Sequence, residues 1–124
     1  MLSYKEYDNA HAVEIVIGGR VSTEEFDQVA GKLEAFIARH GKVRVIEVVR
    51  DFEGMDAGAF WHDVKFSLRH LKDFNRVAVV SSPEIRNLWS ALMAPFMDCE
   101  VEHFEPHEIE AARDWLMWPE GAVD

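Results

Sequence analysis

Five β-branched residues within seven positions, Val43, Val45, Ile46, Val48 and Val49, constrain this chain more than any other feature. A run so nearly continuous in apolar residues reads as a strand covered on both faces, as in the middle of a parallel sheet. It ends in an acidic, glycine-containing segment, RDFEGMD (Arg50 to Asp56), and a helix-patterned stretch follows. In sheets of this kind ligands collect at the carboxyl ends of the strands. The loop after Val49 and the next helix start are therefore where a site is expected.

The remaining elements fall on either side of this strand. Leu2 to Tyr7 predicts a short strand, and Asp8-Asn9 a turn. Ala12 to Ile17 alternates in a way that predicts a second strand, paired antiparallel with the first and ended by Gly18-Gly19. Ser22 and Glu25 have the spacing of a capping box, in which hydroxyl and carboxylate satisfy free N–H groups at a helix start. Phe26, Val29, Ala30, Leu33, Phe36 and Ile37 then recur at helical spacing, and Gly41 sits where a C-terminal cap belongs. After the central strand, Asp56 or a neighbour is placed to cap a second helix with Phe60, Trp61, Val64, Leu68 and Leu71 on its buried face. Arg76 to Val80 predicts another buried strand. Ser81-Ser82-Pro83 then starts a third helix carrying Ile85, Leu88, Trp89 and Leu92, which Pro95 should break or kink. Cys99 to Phe104 reads as a last strand, and Pro106 opens a helix with Ile109, Ala112, Trp115 and Leu116 inward.

The alternation predicts an α/β domain over 1–124: a mostly parallel five-stranded sheet with an antiparallel N-terminal hairpin strand and four helices. A single domain of 124 residues can bury roughly two-thirds of the surface of its unfolded chain. The charge narrows the function classes. Thirteen basic against 23 acidic residues give −10, a field that repels phosphate backbones and excludes non-specific nucleic-acid binding. One cysteine, Cys99, allows neither an internal disulfide nor a thiolate zinc site. No apolar stretch reaches the ~18 residues that span a bilayer, and no signal peptide precedes the first strand. The expected setting is the cytoplasm.

Three stretches carry a resemblance: HGKVRVIEVV before the acidic glycine segment, FWHDVKFSLRHLKDFNRVAVV from helix to strand, and VEHFEPHEIEAARDWL near the C-terminus. Together with the order of elements they make the chain resemble the SpoIIAA-like family, related in fold to STAS domains and also likened to CRAL-TRIO lipid-binding proteins. The resemblance implies a non-enzymatic protein. STAS anti-sigma-factor antagonists carry a phosphorylated serine after the central strand. The matching stretch here is Met55-Asp56-Ala57-Gly58-Ala59, and neither Ala57 nor Gly58 has a hydroxyl. The serine phosphoswitch is therefore not carried over.

Several residues invite chemistry. Asp51, Glu53, Asp56 and Asp63 could gather oxygen ligands for Mg²⁺ or Ca²⁺, although loop solvation and favourable charge at a helix start account for them locally. Asp63, Ser67 and His70 share a helix face, and a hydrolase-type reading would use Asp56, Asp63 and His62, but no activated nucleophile accompanies them. The histidines lack HxH or HExxH spacing. Ser81 and Ser82 are explained by helix capping. No catalytic residue, metal or cofactor is assigned. What stands out is an apolar surplus in LWSALMAPFM and in the four tryptophans, more than one buried helix stripe requires. The expected contact residues are Asp56, Trp61, Lys65, Trp89, Met93, Phe96 and Met97. The expected occupant is a protein partner or a second copy, or alternatively a small apolar or lipid ligand in a crevice between helices.

Overall fold

The computed structural model describes residues 1–93, 97 and 99–117. Its elements are β1 (Leu2–Tyr7), β2 (Ala12–Val21), α1 (Thr23–His40), β3 (Val43–Met55), α2 (Ala57–Arg69), β4 (Phe74–Val80), α3 (Pro83–Leu92), β5 (Glu100–Phe104) and α4 (Ile109–Leu116). Short 3-10 turns occupy Asp8–Ala10 and Pro106–Glu108. The sheet order is β1-β2-β3-β4-β5, antiparallel between β1 and β2 and parallel elsewhere. This is the mixed five-stranded sheet with four helices that the alternation predicts.

Consecutive strands added in one direction through right-handed crossovers place their helices on one side. One core layer accordingly joins Val13, Ile15, Val43 and Val45 of the sheet to Leu33, Phe36 and Ile37 of α1 and Phe66 of α2. The opposite layer joins Ala12, Ile46, Val48, Ala78 and Val80 to Ala112 and Leu116 of α4. With both faces covered, β2 buries Ala12, Val13, Glu14 and Ile15 in succession, not the single face its alternation suggested.

The capping box at the start of α1 is present. Glu25 N–H donates to Ser22 Oγ at 3.1 Å, and Ser22 N–H donates to Glu25 Oε1 at 3.2 Å. At the far end of the domain, the last carbonyls of α4 meet two guanidinium groups. Arg44 donates to the Leu116 carbonyl and Arg76 to that of Trp115, each at 2.9 Å. These cations satisfy acceptors that a helix end leaves free and lie at the negative end of its dipole.

Four boundaries differ from expectation. Gly18-Gly19 does not end β2, which runs on to Val21, and the acidic segment after Val49 is not a loop but the continuation of β3 to Met55. The two strands stay paired because Gly18 faces Arg50, Gly19 faces Phe52 and Arg20 faces Gly54, leaving Asp51 and Glu53 as extra residues bulged into solvent. Such bulges bend and twist a strand without ending it. They require unusual backbone: Asp51 has φ 50° and Gly54 φ 130°, the latter a conformation that suits glycine. Strand β5 begins at Glu100, not Cys99, and Pro106 opens a 3-10 turn, with α4 itself starting at Ile109.

Helix α2 leans on α1. The rings of Phe26 and Phe66 meet edge-on at 6.4 Å, and Gly58 sits so close to Thr23 that an added Cβ would lie 2.6 Å from its Oγ1. Gly58→Ser should therefore destabilise the fold by about 1–2 kcal/mol, because the contact admits no side chain unless Thr23 or α2 gives way. Ala57→Ser, at an exposed neighbour, should change stability by less than about 0.5 kcal/mol. Equal denaturant midpoints for the two variants would contradict this packing.

Candidate functional site

The register across the sheet sets Ile15, Glu47, Val79 and His103 opposite one another in a single row through β2, β3, β4 and β5. Residues in register on parallel strands share a face, and Ile15 belongs to the layer under α1 and α2. Glu47 thus lies mid-strand on the helix-covered side, where an isolated charge is expensive.

Two groups meet it from the helices. Asp63 of α2 is close enough for its charge to act on Glu47, and the indole of Trp89 on α3 hydrogen-bonds the Glu47 carboxyl. The Trp89 ring also meets His103 edge-on, with centroids 5.4 Å apart and planes at 77°. Burial pushes the Glu47 carboxyl up to about 7. The Asp63 charge adds to the rise and the indole opposes it. Burial likewise raises Asp63 to about 6 against the stabilising hydrogen bond of Ser67. His103 moves down, first through burial and then through the nearby charge of Arg86. The two carboxyls so disposed change charge near neutral pH and can accept hydrogen bonds from a ligand.

Helix α2 turns Ala59 and Phe66 inward and its larger residues out. Phe60, Trp61 and Leu68 are 39%, 60% and 50% exposed, which corrects the buried face expected from their spacing. Leu88 on α3, also expected inward, is 53% exposed. With Met1, these are the exposed large apolar side chains among the described residues.

The expected contact residues are dispersed. Trp61 faces solvent, packed edge-on against Phe60 at 5.9 Å, whereas Trp89 points down to the sheet. Asp56 is the N-cap residue of α2, but its carboxylate accepts from Arg20 Nε at 3.1 Å and makes no cap bond. Lys65 is exposed. Met93 is half-buried at the end of α3, and Met97 lines a separate cavity with Lys42, Phe74 and Glu100, at the amino ends of β3, β4 and β5. Phe96 and Trp118 lie outside the described residues. Trp115 is inward, its ring under Arg76 at 5.1 Å and near Phe104.

The acid–base constellation does not assemble. His62 pairs with Asp27 at 2.6 Å, His70 pairs with Asp73 at 2.7 Å, and Asp63 engages Ser67. Nor do Asp51, Glu53, Asp56 and Asp63 form a ligand group. Among the described residues the one trio within 4.8 Å is Glu105, His107 and Glu108, at the surface, where Glu108 already accepts the Glu105 N–H in a capping box. Ser82 takes the N-cap position of α3 without a side-chain cap bond, and the buried Ser81 Oγ has no partner among the described residues. Capping therefore explains neither serine side chain. Glu47 escaped the sequence reading because the strand was read from its apolar residues alone and the one carboxyl among them was given no partner. Its even spacing with Val45 and Val43 was the available signal.

A family model described as SpoIIAA-like matches residues 12–117. The chain belongs to the SpoIIAA-like family. Comparison with curated proteins finds no match. Among solved structures, this SpoIIAA-like chain is similar to an uncharacterized protein of the DUF3478 family with a SpoIIAA-like fold from Shewanella loihica PV-4. The two share 22% identity over 94% of this chain and 92% of that one, with a TM-score of 0.76. It is also similar to the Bacillus cell fate determinant SpoIIAA in its phosphorylated form, at 15% identity over 93% and 99% of the chains, TM-score 0.61. The anti-sigma factor antagonist SpoIIAA in its unphosphorylated form matches at 15% identity over 93% and 97%, TM-score 0.62. At these identities the likeness is one of fold. Among the described residues no helix is long and apolar enough to cross a membrane.

Proposed function

We propose that this SpoIIAA-like chain is a non-catalytic binding module that docks a protein surface, a second copy of itself included, on the outer side of α2 and α3. The observation that carries this reading is the concentration of exposed Phe60, Trp61, Leu68 and Leu88 on those two helices. Exposed aromatic and aliphatic side chains are typical of contact surfaces. The similarity to an anti-sigma factor antagonist supports a role in protein association. The helix start after β3 reads Asp56-Ala57-Gly58-Ala59, so a phosphorylated serine would not govern that association in this chain. The dispersal of His62, Asp63 and Asp56 to separate partners supports the absence of catalysis.

Trp61→Asp combined with Leu88→Asp should abolish self-association or partner capture while leaving circular dichroism unchanged. Each truncated anchor should remove roughly 2 kcal/mol of binding. Sedimentation and pull-down profiles identical to those of the parent protein would refute the reading. A small apolar ligand between the helices is the weaker alternative, since Asp63 of α2 and Glu47 beneath it put carboxyls in that layer.

A further inference from the structure

We propose that the outward stripe of α2 receives an acidic, amphipathic segment of a partner protein, whose carboxylates pair with Lys65 while its apolar side chains cover Trp61 and Leu68. The stripe belongs to the outer surface described above, and the assignment rests on the binding-module reading.

Helical spacing sets the geometry. Trp61, Lys65 and Leu68 stand at i, i+4 and i+7 of α2, so they follow one another along one side of the helix. All three are exposed. Ala59 and Phe66, the latter edge-on to Phe26 of α1, are buried on the other side. At 1.5 Å per residue the stripe runs roughly 10 Å, the length of two turns of a partner helix or three residues of an extended one.

The charge of this helix runs against that of the chain. The protein has 23 acidic residues and a net charge of −10, yet no acidic residue of α2 is exposed. Asp63, the one carboxylate within the helix, is half-buried and engages Ser67. The exposed ionisable residues of α2 are His62, Lys65 and Arg69. Asp27 holds His62 at 2.6 Å and Glu34 holds Arg69, both from α1. Those pairs occupy two α1 carboxylates that reach α2, and the Lys65 ammonium has no ion pair among the described residues. Lys72, exposed in the turn after the helix, is a second cation in the same state.

This combination selects the partner. The methylene stem of Lys65 extends the apolar surface of Trp61 and Leu68, while its ammonium needs a counter-charge once water is displaced. A wholly apolar segment would cover that ammonium unpaired, and a basic one would repel it. Carboxylates set between apolar side chains satisfy both parts of the stripe. Screening over about 8 Å confines a short segment to the local charge, whereas an anionic membrane would meet the −10 of the whole chain. The stripe therefore favours a peptide segment over a lipid surface.

The test titrates a fluorescein-labelled peptide, EELWEELLEE, with the full chain and follows fluorescence anisotropy. Saturable binding with a Kd of about 100 µM or tighter is expected, the range of a small, transient contact. Lys65→Glu and Trp61→Ala should each weaken it by about tenfold or more, and Lys65→Arg should preserve it. Both positions are exposed, so circular dichroism should be unchanged in all three variants. The same peptide with glutamine in place of every glutamate should bind about tenfold more weakly or worse. No saturable change in anisotropy, equal affinity for the glutamine peptide, or full affinity in Lys65→Glu would each overturn the proposal. So would capture of the chain by phosphatidylglycerol vesicles that Lys65→Glu abolishes, because the stripe would then belong to a lipid surface. Sedimentation of the parent and of the Trp61→Asp, Leu88→Asp variant reads the binding-module proposal without any peptide. A chain that fails only the peptide titration loses the acidic partner and keeps the docking surface.

Discussion

Replacing Arg113 by leucine is expected to lower the unfolding free energy by about 2–4 kcal/mol near neutral pH, the largest loss foreseen for one substitution here. Glu14 on β2 is 8% exposed, and Arg113 of α4 grips it with both ends of its guanidinium: Nε to Oε1 and a terminal nitrogen to Oε2, each at 3.0 Å. Removing the cation leaves a carboxylate enclosed between sheet and helix. The figure sits toward the low side of what breaking a buried pair costs, because Arg113 keeps about a third of its side chain in water. The acid limb identifies the cause. In the parent protein the hydrogen bonds of Arg113 hold the Glu14 carboxyl below its ordinary 4.5. That stability is present above the unfolded value and is lost as pH falls through the depressed folded one. The difference between parent and variant should therefore shrink as Glu14 becomes protonated. Adding Glu14→Met to the variant should restore most of the loss. A pH-independent deficit in guanidinium unfolding would rule out the ion pair as its source.

Glu47→Gln should act in the opposite direction and stabilise the protein, by about 2–3 kcal/mol near pH 8. The carboxyl titrates near 7 in the folded chain against an ordinary 4.5, so between those values the native state retains a proton that the unfolded chain has released. Proton linkage then makes stability decline with rising pH across that window and level off above it. Glutamine, neutral throughout, avoids the decline. The gain should fade as pH drops toward 4.5, where parent and variant are both uncharged at this position. Asp63→Asn should lower the midpoint of the transition for Glu47, since one of its causes is the Asp63 charge. Unfolding curves collected from acid to mildly alkaline pH decide the matter. A variant no more stable than the parent at pH 8 would mean that Glu47 is hydrated.

The contrast between these two glutamates shows where sequence reasoning reaches and where it stops. Local chemistry was legible. The Ser22–Glu25 cap, Gly41 at the end of α1, and Pro83 at the start of α3 depend on neighbours a few residues away. The element order followed from such signals, and with it the mixed sheet. The tertiary assignments were less accessible. Asp51, Glu53 and Gly54 have the composition of a loop, yet backbone pairing with β2 carries the strand past them by bulging them outward. In α2 the apolar period through Phe60, Val64 and Leu68 pointed to a buried stripe. The helix rests on α1 through Gly58 and Phe66 and shows Phe60 and Leu68 to solvent instead. No local pattern distinguishes Glu14, gripped by an arginine 99 residues away, from Glu47, which meets no cation among the described residues.

The margins of the sheet bear on how copies of this protein could assemble. Strand β5 is five residues long, and its Glu100 and Glu102 are exposed at the outermost position of the sheet. A neighbour attempting to lengthen the ladder there would bring identical acidic teeth together, a repulsion that natural sheets use to forestall open-ended fibres. Growth by strand addition is thereby discouraged at that margin. A two-fold pairing through the helices would be self-complementary and would stop at two.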